Sequence, residues 1–152
     1  MIVYRISSRK YADDLTGEGA RLHGGRWNHK LTPCLYTAAT RALAVLEYSV
    51  NVNIDDIPRA LCITSIEIPD TSILLLEQAH LPGDWRYAPA PPTAKDFGTT
   101  LLKQNQYLAI QIPSVVIPEE FNYLINPLHP EMRRVHIVEV KDCVYDLRIK
   151  TK

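Results

Sequence analysis

Long helical patterns are confined to two stretches of this chain, and short strand-like patterns crowd its second half. The first predicted helix spans residues 38–50, with Thr37 or Thr40 at its N-terminal cap. The second spans residues 94–105, with Thr93 at its cap. Seven or eight short strands are predicted, at 2–5, 34–37, 60–68, 73–76 (strand or helical turn), 108–112 with a continuation at 114–117, 122–125, 135–140 and 144–149. Because strands and helices do not alternate, we predict an α+β fold with largely antiparallel strands and packed helices.

The chain length and charge balance narrow the class of protein. A chain of 152 residues suits one domain, here predicted over residues 1–152. Lys and Arg total 17, as do Asp and Glu, so no basic surface favours nucleic acid or an anionic membrane. The chain shows no signal peptide and no membrane-spanning run. We therefore predict a cytoplasmic protein that does not itself bind nucleic acid or membranes.

The cysteines and histidines do not predict a metal site. Cys34, Cys62 and Cys143 are odd in number and far apart, and the five histidines are scattered without zinc-ligand spacing. Each cysteine sits in a partly apolar stretch. We therefore expect buried free thiols in a reducing compartment.

Two adjacent glycines followed by an arginine and a tryptophan mark a first candidate site at residues 24–28. A glycine pair permits main-chain conformations closed to other residues, so that a ligand can approach closely. Arg26 offers a planar fork of donors suited to phosphate or carboxylate, while Trp27 and Tyr36 offer flat faces for a ring. The alternative is a tight turn with a solvated arginine and two core aromatic residues.

The first predicted helix carries a carboxylate where its apolar stripe predicts a core residue. That stripe contains Leu43, Leu46 and Val50. Glu47 falls within it, and a buried ionised glutamate is costly unless it is paired or hydrogen-bonded. We therefore expect Glu47 to pair with Arg26 or Arg5, or to line a cleft. The alternative is a glutamate at the edge of the stripe with its carboxylate in water.

Several common catalytic signatures are missing from the sequence. It has no Walker-type phosphate loop, no Rossmann glycine pattern after a strand, and no nucleophile elbow around Ser114. The remaining combination of a cation, a carboxylate and aromatic faces suits cleavage of a glycosidic bond to a good leaving group. Nicotinamide in NAD+ is such a group because its ring nitrogen is already cationic. A single carboxylate supporting an oxocarbenium-like transition state would suffice.

An ordered set of motifs resembles the RES domain family, named for an Arg, a Glu and a Ser. The motifs are Tyr4-Arg5-Ile6, Gly17-Glu18-Gly19-Ala20-Arg21, Gly24-Gly25-Arg26-Trp27-Asn28, Leu35-Tyr36-Thr37, Ala42-Leu43-Ala44-Val45-Leu46-Glu47, Ile112-Pro113-Ser114 and Asn122-Tyr123-Leu124-Ile125-Asn126-Pro127. The resemblance covers nearly the whole chain. Each motif is weak alone, and the ordered set is specific.

The resemblance implies a fold similar to ADP-ribosyltransferases and a toxin of a bacterial toxin–antitoxin pair. Its activity would be consumption of NAD+ as a substrate, without a separate cofactor, by hydrolysis, phosphorolysis or ADP-ribosyl transfer to a protein. The partner would be an Xre-type helix-turn-helix antitoxin, which would provide DNA binding. The oligomeric state is left open, and a homodimer within the toxin–antitoxin complex is compatible with it.

The resemblance also assigns roles to individual residues. The family Arg, Glu and Ser fall on Arg26, Glu47 and Ser114, which we predict as catalytic. Arg26 would bind phosphate, and Glu47 would hold the nicotinamide ribose and the developing cation. Ser114 would contact the ribose or orient Glu47. The predicted substrate-binding residues are Arg5, Trp27, Tyr36 and Asn126, with Tyr36 against the nicotinamide and Arg5 and Asn126 as weaker candidates.

Two other functions compete with this prediction. The first is a catalytically inactive RES-like module that binds a nucleotide or only its antitoxin. The second is a ribonuclease, which the zero net charge and the absence of a histidine pair disfavour. For the active toxin, we predict that a carboxylate of the antitoxin occupies the cleft at Arg26.

Overall fold

The computed structural model describes residues 1–150 of the chain. In this part the elements follow in the order β1 (Ile2–Ser8), α1 (Glu18–His23), β2 (Leu35–Ala38), α2 (Arg41–Asn51), β3 (Leu61–Glu67), β4 (Ile73–Leu75), α3 (Pro92–Gln104), β5 (Ala109–Pro113), β6 (Phe121–Ile125) and β7 (His136–Cys143). The strands form one sheet of order β4-β5-β6-β2-β1-β3-β7. All neighbours are antiparallel except β4 and β5, which are parallel. The α+β prediction is confirmed.

The centre of the sheet is split between β1 and β2. These two strands pair at a single position, Tyr4 with Ala38. On their outer sides, β1 pairs with β3 over seven positions and β2 pairs with β6 over four. Each strand is therefore secured to its outer neighbour, while the two central strands diverge beyond Tyr4. Side chains from both can face the same gap.

Both faces of the sheet are covered by apolar side chains. On one face, α2 packs Leu43 and Ala44 against Ala38 with Tyr4 and Ile6 alongside. The same face carries a larger cluster beneath α3; its buried members are Trp27, Cys34, Leu76, Leu81, Trp85, Ala94, Leu102, Ile110, Ile112 and Leu124. A third cluster covers the other face; its buried members are Val3, Leu35, Ile66, Ile68, Leu108, Ala109, Tyr123, Ile125 and Val135.

The helices differ from the sequence prediction at their starts. α2 begins at Arg41 because Thr40 Oγ1 accepts a hydrogen bond from the Leu43 N–H at 3.0 Å. Residue 38, predicted to start this helix, ends β2 instead. α1 was not predicted. It has only six residues, and it lies between Gly17 and Gly24, which have φ angles of +70° and +72°.

Two predicted strands are wrong. Residues 114–117 form a turn because the Ser114 hydroxyl accepts hydrogen bonds from the Val116 and Ile117 N–H groups, which are then unavailable to a ladder. Residues 144–149 contain a 3-10 turn at Leu147–Ile149. Asp146 caps this turn by accepting from the Arg148 N–H.

The apolar stripe predicted for α2 is wrong at its C-terminal end, where Val50 faces solvent. Val50 is 57% exposed, while Leu43, Ala44 and Ser49 are buried. The helix is therefore rotated relative to the predicted stripe, and Glu47 is half-buried rather than central to the core.

The three cysteines are free, with Cys34 and Cys62 buried and Cys143 half-buried. Burial raises the pKa of the Cys34 thiol. Among residues 1–150, no three His, Cys, Asp or Glu side chains cluster in a way that would hold a metal ion. No helix in the same range is long and apolar enough to cross a membrane.

Residues 24–29, called the glycine-rich loop below, pack against α3 at Gly98, where a larger side chain would not fit. A Cβ at Gly98 would lie 2.0 Å from the Trp27 carbonyl oxygen and 2.7 Å from Trp27 Cβ. We expect Gly98→Ala to lower the free energy of unfolding by about 2 kcal/mol, because overpacking outweighs the better helix propensity of alanine. Urea denaturation measures this change.

A matched control is Gly19→Ala in α1, where an added Cβ meets nothing within 4 Å. This control should keep the stability of the wild type or gain up to about 1 kcal/mol. Equal stability of the Gly98→Ala protein and the wild type would contradict the packing described here.

Candidate active site

A cavity of about 550 Å³ lies where β1 and β2 diverge. Its lining comes from β1, α1, the glycine-rich loop, β2, α2, the turn after β5, and β6. Arg5, Arg26, Tyr36, Glu47 and Asn122 are its main polar and aromatic side chains. The structure therefore brings seven segments, several of them distant in sequence, to one concave surface.

The carboxylate of Glu47 is fixed by two uncharged donors. Its Oε1 accepts from the Ser114 hydroxyl at 2.6 Å and from Asn122 Nδ2 at 2.6 Å. Its Oε2 has no hydrogen-bond partner among residues 1–150. Within the same range, no cation lies at ion-pair distance from Glu47, so the expected pairing with Arg26 or Arg5 is not formed. Glu47 instead lines the cavity, as the other expectation stated.

Ser114 has a geometry that orients the carboxylate. The residue is fully buried, and its hydroxyl accepts from the Val116 and Ile117 N–H groups at 3.1 and 3.2 Å. Its single proton is donated to Glu47. The hydroxyl is therefore buried and fully engaged by the carboxylate and two main-chain N–H groups, a geometry that suits orienting Glu47 rather than attacking a substrate.

Asn122 was missed by the sequence reasoning. It lies opposite Ala38 in the pairing of β2 with β6, on the face of the sheet that carries the cavity. Its Nδ2 holds Glu47, while its Oδ1 is buried and has no partner among residues 1–150. The available signal was weak: a polar residue alternating with Phe121 and Tyr123 on a short strand, a pattern that equally describes a solvated face.

Arg26 is anchored through one of its three guanidinium nitrogens. Nη1 donates to the main-chain oxygens of Trp85 and Tyr87 at 2.9 and 2.8 Å. Burial lowers the pKa of Arg26, and the negative charge of Glu47 opposes this shift. Nε and Nη2 make no hydrogen bond within residues 1–150, which leaves one edge of the fork for a ligand.

Tyr36 links the glycine-rich loop to the sheet. Its hydroxyl accepts from the Trp27 N–H at 3.0 Å and donates to Asn28 Oδ1 at 2.6 Å. Burial, the main cause, raises its pKa well above the ordinary value for tyrosine. Gly25 is required beside it, because a Cβ there would lie 2.6 Å from the Tyr36 hydroxyl. The ring is therefore held rigidly along the cavity wall.

Trp27 and Arg5 are largely committed to structure. Trp27 is 3% exposed and packs against Trp85 and Phe97, with ring centroids 6.4 and 6.1 Å away. Its ring belongs to the core beneath the cavity. For Trp27, this agrees with the alternative given in the sequence analysis, in which the aromatic residues belong to the core. Arg5 donates to the main-chain oxygens of Asp14 and Tyr11, and burial lowers its pKa.

The structure does not bring Asn126 to the cavity. Its Nδ2 donates to Leu102 O at 3.0 Å and to Asn105 Oδ1 at 2.8 Å. Its Oδ1 accepts from the Leu128 N–H at 3.1 Å. Asn126 is buried and joins the end of α3 to the segment after β6, which gives it a supporting position.

The sequence comparisons identify relatives across the whole chain. The model of the RES domain matches residues 2–148. A protein from Yersinia enterocolitica named Toxin Res is 38% identical over 152 residues, covering 99% of this chain and 100% of that protein. A protein from a Sphingobium species named Prs ADP-ribosylating toxin is 38% identical over 144 residues, covering 93% of this chain and 89% of the relative.

A solved structure has the same fold. A chain of the M. tuberculosis MbcT-MbcA toxin-antitoxin complex superimposes with a TM-score of 0.76 at 19% identity. The superposition covers 98% of the present chain and 87% of the solved one. The match confirms the fold, and the family resemblance predicted from the motifs is confirmed by the sequence comparisons.

Removal of the Tyr36 hydroxyl should destabilise the folded protein. Tyr36→Phe removes the acceptor of the Trp27 N–H and the donor to Asn28, which is fully buried. We expect a loss of about 1–3 kcal/mol in the free energy of unfolding at pH 7, because buried polar groups lose their partners. Tyr87→Phe is the control: Tyr87 is 68% exposed, and the change should stay within about 0.5 kcal/mol.

The same variant should change how the free energy of unfolding depends on pH in alkaline solution. Because the pKa of Tyr36 is raised in the folded state, the unfolded state loses this proton at a lower pH. The free energy of unfolding should therefore fall as the pH rises above about 10, and Tyr36→Phe should make that fall shallower. Denaturation between pH 8 and 11 measures it, and identical slopes would contradict the burial of this phenol.

Proposed function

The chain belongs to the RES domain family, and from this premise we propose that it is the toxin of a toxin–antitoxin pair that cleaves the nicotinamide–ribose bond of NAD+. The observation that carries the proposal is the carboxylate of Glu47. It is oriented through one oxygen by Ser114 and Asn122, and it shares a cavity with the partly free guanidinium of Arg26. The name of the Sphingobium relative, an ADP-ribosylating toxin, supports use of NAD+.

One carboxylate is sufficient for this reaction. The nicotinamide nitrogen is cationic in NAD+, so when the bond to ribose breaks, the electron pair returns to the ring and nicotinamide leaves neutral. No general acid is needed, in contrast to ordinary glycoside hydrolysis. The positive charge that develops on the ribose is stabilised by Glu47, whose Oε2 is free to accept from a ribose hydroxyl.

Arg26 supplies the complementary charge for the diphosphate of NAD+. Its Nε and Nη2 lie on one edge of a planar group, a geometry that fits two phosphate oxygens bidentately. The contacts of Nη1 with Trp85 and Tyr87 hold that edge in place before the substrate arrives. Tyr36 provides a rigid wall for the nicotinamide ring.

The second half of the reaction transfers ADP-ribose to an acceptor oxygen. A new bond forms at the ribose carbon, and the acceptor loses a proton. Water, phosphate and a protein side chain all meet this requirement, and they correspond to hydrolysis, phosphorolysis and ADP-ribosylation. The three acceptors are separated by adding phosphate and by following the ADP-ribose product.

An antitoxin would keep this activity in check. The fold is shared with a chain from a toxin–antitoxin complex, which supports an antitoxin partner for the present chain. We propose an Xre-type antitoxin that covers the cavity and places a carboxylate on Arg26. In that arrangement the antitoxin and NAD+ exclude each other, and the antitoxin carries the DNA-binding function.

The central test is nicotinamide release by the purified protein. Glu47→Gln keeps the size of the side chain but removes the charge, so we expect a fall of ~10²–10³ in kcat. Chromatography of NAD+ reactions, with and without phosphate, measures it. The exposed Glu119→Gln should retain wild-type turnover. The proposal fails if the wild type releases no nicotinamide or if Glu47→Gln turns over normally.

A second test uses growth and addresses the inactive-module alternative. Expression of the wild type should arrest growth and lower cellular NAD+, while Arg26→Ala should relieve both effects because the diphosphate loses its cation. Arg59→Ala, at an exposed arginine outside the cavity, should remain toxic. Harmless expression of the wild type with steady NAD+ would favour the inactive module.

A further inference from the structure

The main chain that carries Arg26 lies against the side of α3. Lys95 Nζ donates to the Gly25 carbonyl at 2.8 Å, and the His29 N–H donates to Thr99 Oγ1 at 2.9 Å. Lys95 and Thr99 are four residues apart and therefore share one face of the helix. The two contacts bracket Arg26 along the chain.

Two further contacts reinforce this attachment. The His29 ring lies 2.5 Å from Asp96, measured from Nε2 to Oδ1. Gly98 allows the helix to approach the Trp27 carbonyl so closely that no larger residue fits. The loop is consequently seated on α3 from Gly25 to His29, and Arg26 projects from a fixed segment.

Lys95 is the charged member of this attachment. The residue is half-buried, and among residues 1–150 no carboxylate lies at ion-pair distance from its ammonium. Its one hydrogen bond in that range goes to the carbonyl of the residue that precedes Arg26. A charge-assisted hydrogen bond is stronger than a neutral one, so it restrains the main chain at this point.

We propose that Lys95 is a positioning residue for Arg26, and that it sets the affinity of the cavity for the diphosphate of the ligand. The inference rests on the proposed role of Arg26 in binding phosphate. Lys95 fixes the main-chain end of Arg26, while Trp85 and Tyr87 fix the guanidinium end. With both ends held, the free edge of the guanidinium keeps one orientation, so the Arg26 side chain loses less conformational entropy when the ligand binds.

Lys95 is not among the residues that line the cavity, which separates it from a direct ligand contact. A direct effect of its charge on the phosphates is the competing explanation. The two differ in their dependence on Arg26. A positioning effect disappears when Arg26 is removed, whereas a through-space charge effect persists.

The experiment measures binding of ADP-ribose by isothermal titration calorimetry. ADP-ribose carries the diphosphate but not the nicotinamide bond, so its affinity is readable whether or not NAD+ is cleaved. We expect Lys95→Met to weaken binding about tenfold, through loss of a charge-assisted hydrogen bond. Lys95→Arg, which keeps a charged donor, should bind within about threefold of the wild type. The exposed Lys103→Met, on the same helix, should bind normally.

The decisive comparison is made in the Arg26→Ala background, where Lys95→Met should cause no further loss. Thermal unfolding of each variant verifies folding. The proposal is overturned if Lys95→Met binds as the wild type does, if Lys95→Arg fails to restore binding, or if the tenfold loss recurs without Arg26. Absence of ADP-ribose binding by the wild type also overturns it. The wild type and the Lys95 variants could bind ADP-ribose as expected while the wild type releases no nicotinamide from NAD+. That outcome would reject the proposed reaction and still support the positioning role of Lys95.

Discussion

The rest of the cavity depends on how the carboxylate of Glu47 is held. Two uncharged donors, Ser114 and Asn122, satisfy one of its oxygens, and no cation at ion-pair distance among residues 1–150 neutralises it. An ion pair would have used up the charge within the protein. Neutral donors stabilise the carboxylate while leaving its charge directed at whatever enters the cavity. The cost is geometric, because α2, β6 and the turn after β5 must be placed together.

The opposite charge is arranged by a similar principle. The guanidinium of Arg26 is held by main-chain oxygens of Trp85 and Tyr87 rather than by Glu47. The two charges therefore share one cavity without cancelling each other. In the proposed reaction, the cationic centre of the dinucleotide would meet Glu47, and its diphosphate would meet Arg26.

The sequence predicted the site better where local chemistry was informative. Glu47 stood out because a carboxylate interrupted a helical stripe, and Thr40 because a hydroxyl before a helix is a recognisable cap. Ser114 was predicted as a site residue but placed in a strand. Its β-branched neighbours favour extended structure, and only the hydroxyl contacts with Val116 and Ile117 fold the segment back.

Other features depended on contacts distant in sequence. Asn122 acquires its position from the pairing of β2 with β6, which no local pattern specifies. Val50 is exposed because packing of α2 on the sheet determines the rotation of the helix. Trp27 looked like a ligand platform, yet Trp85 and Phe97 enclose it. Tertiary packing, rather than propensity, decided each of these cases.

The split between β1 and β2 has a mechanical consequence. The two halves of the sheet are joined through one residue pair, and α2 contacts both strands across the seam. The helix that bridges the seam also carries Glu47. Any shift of α2 therefore changes the width of the opening and the location of the negative charge together. The size of ligand that the cavity admits and the position of its negative charge are therefore coupled, and changing one without the other would require a different connection between the two strands.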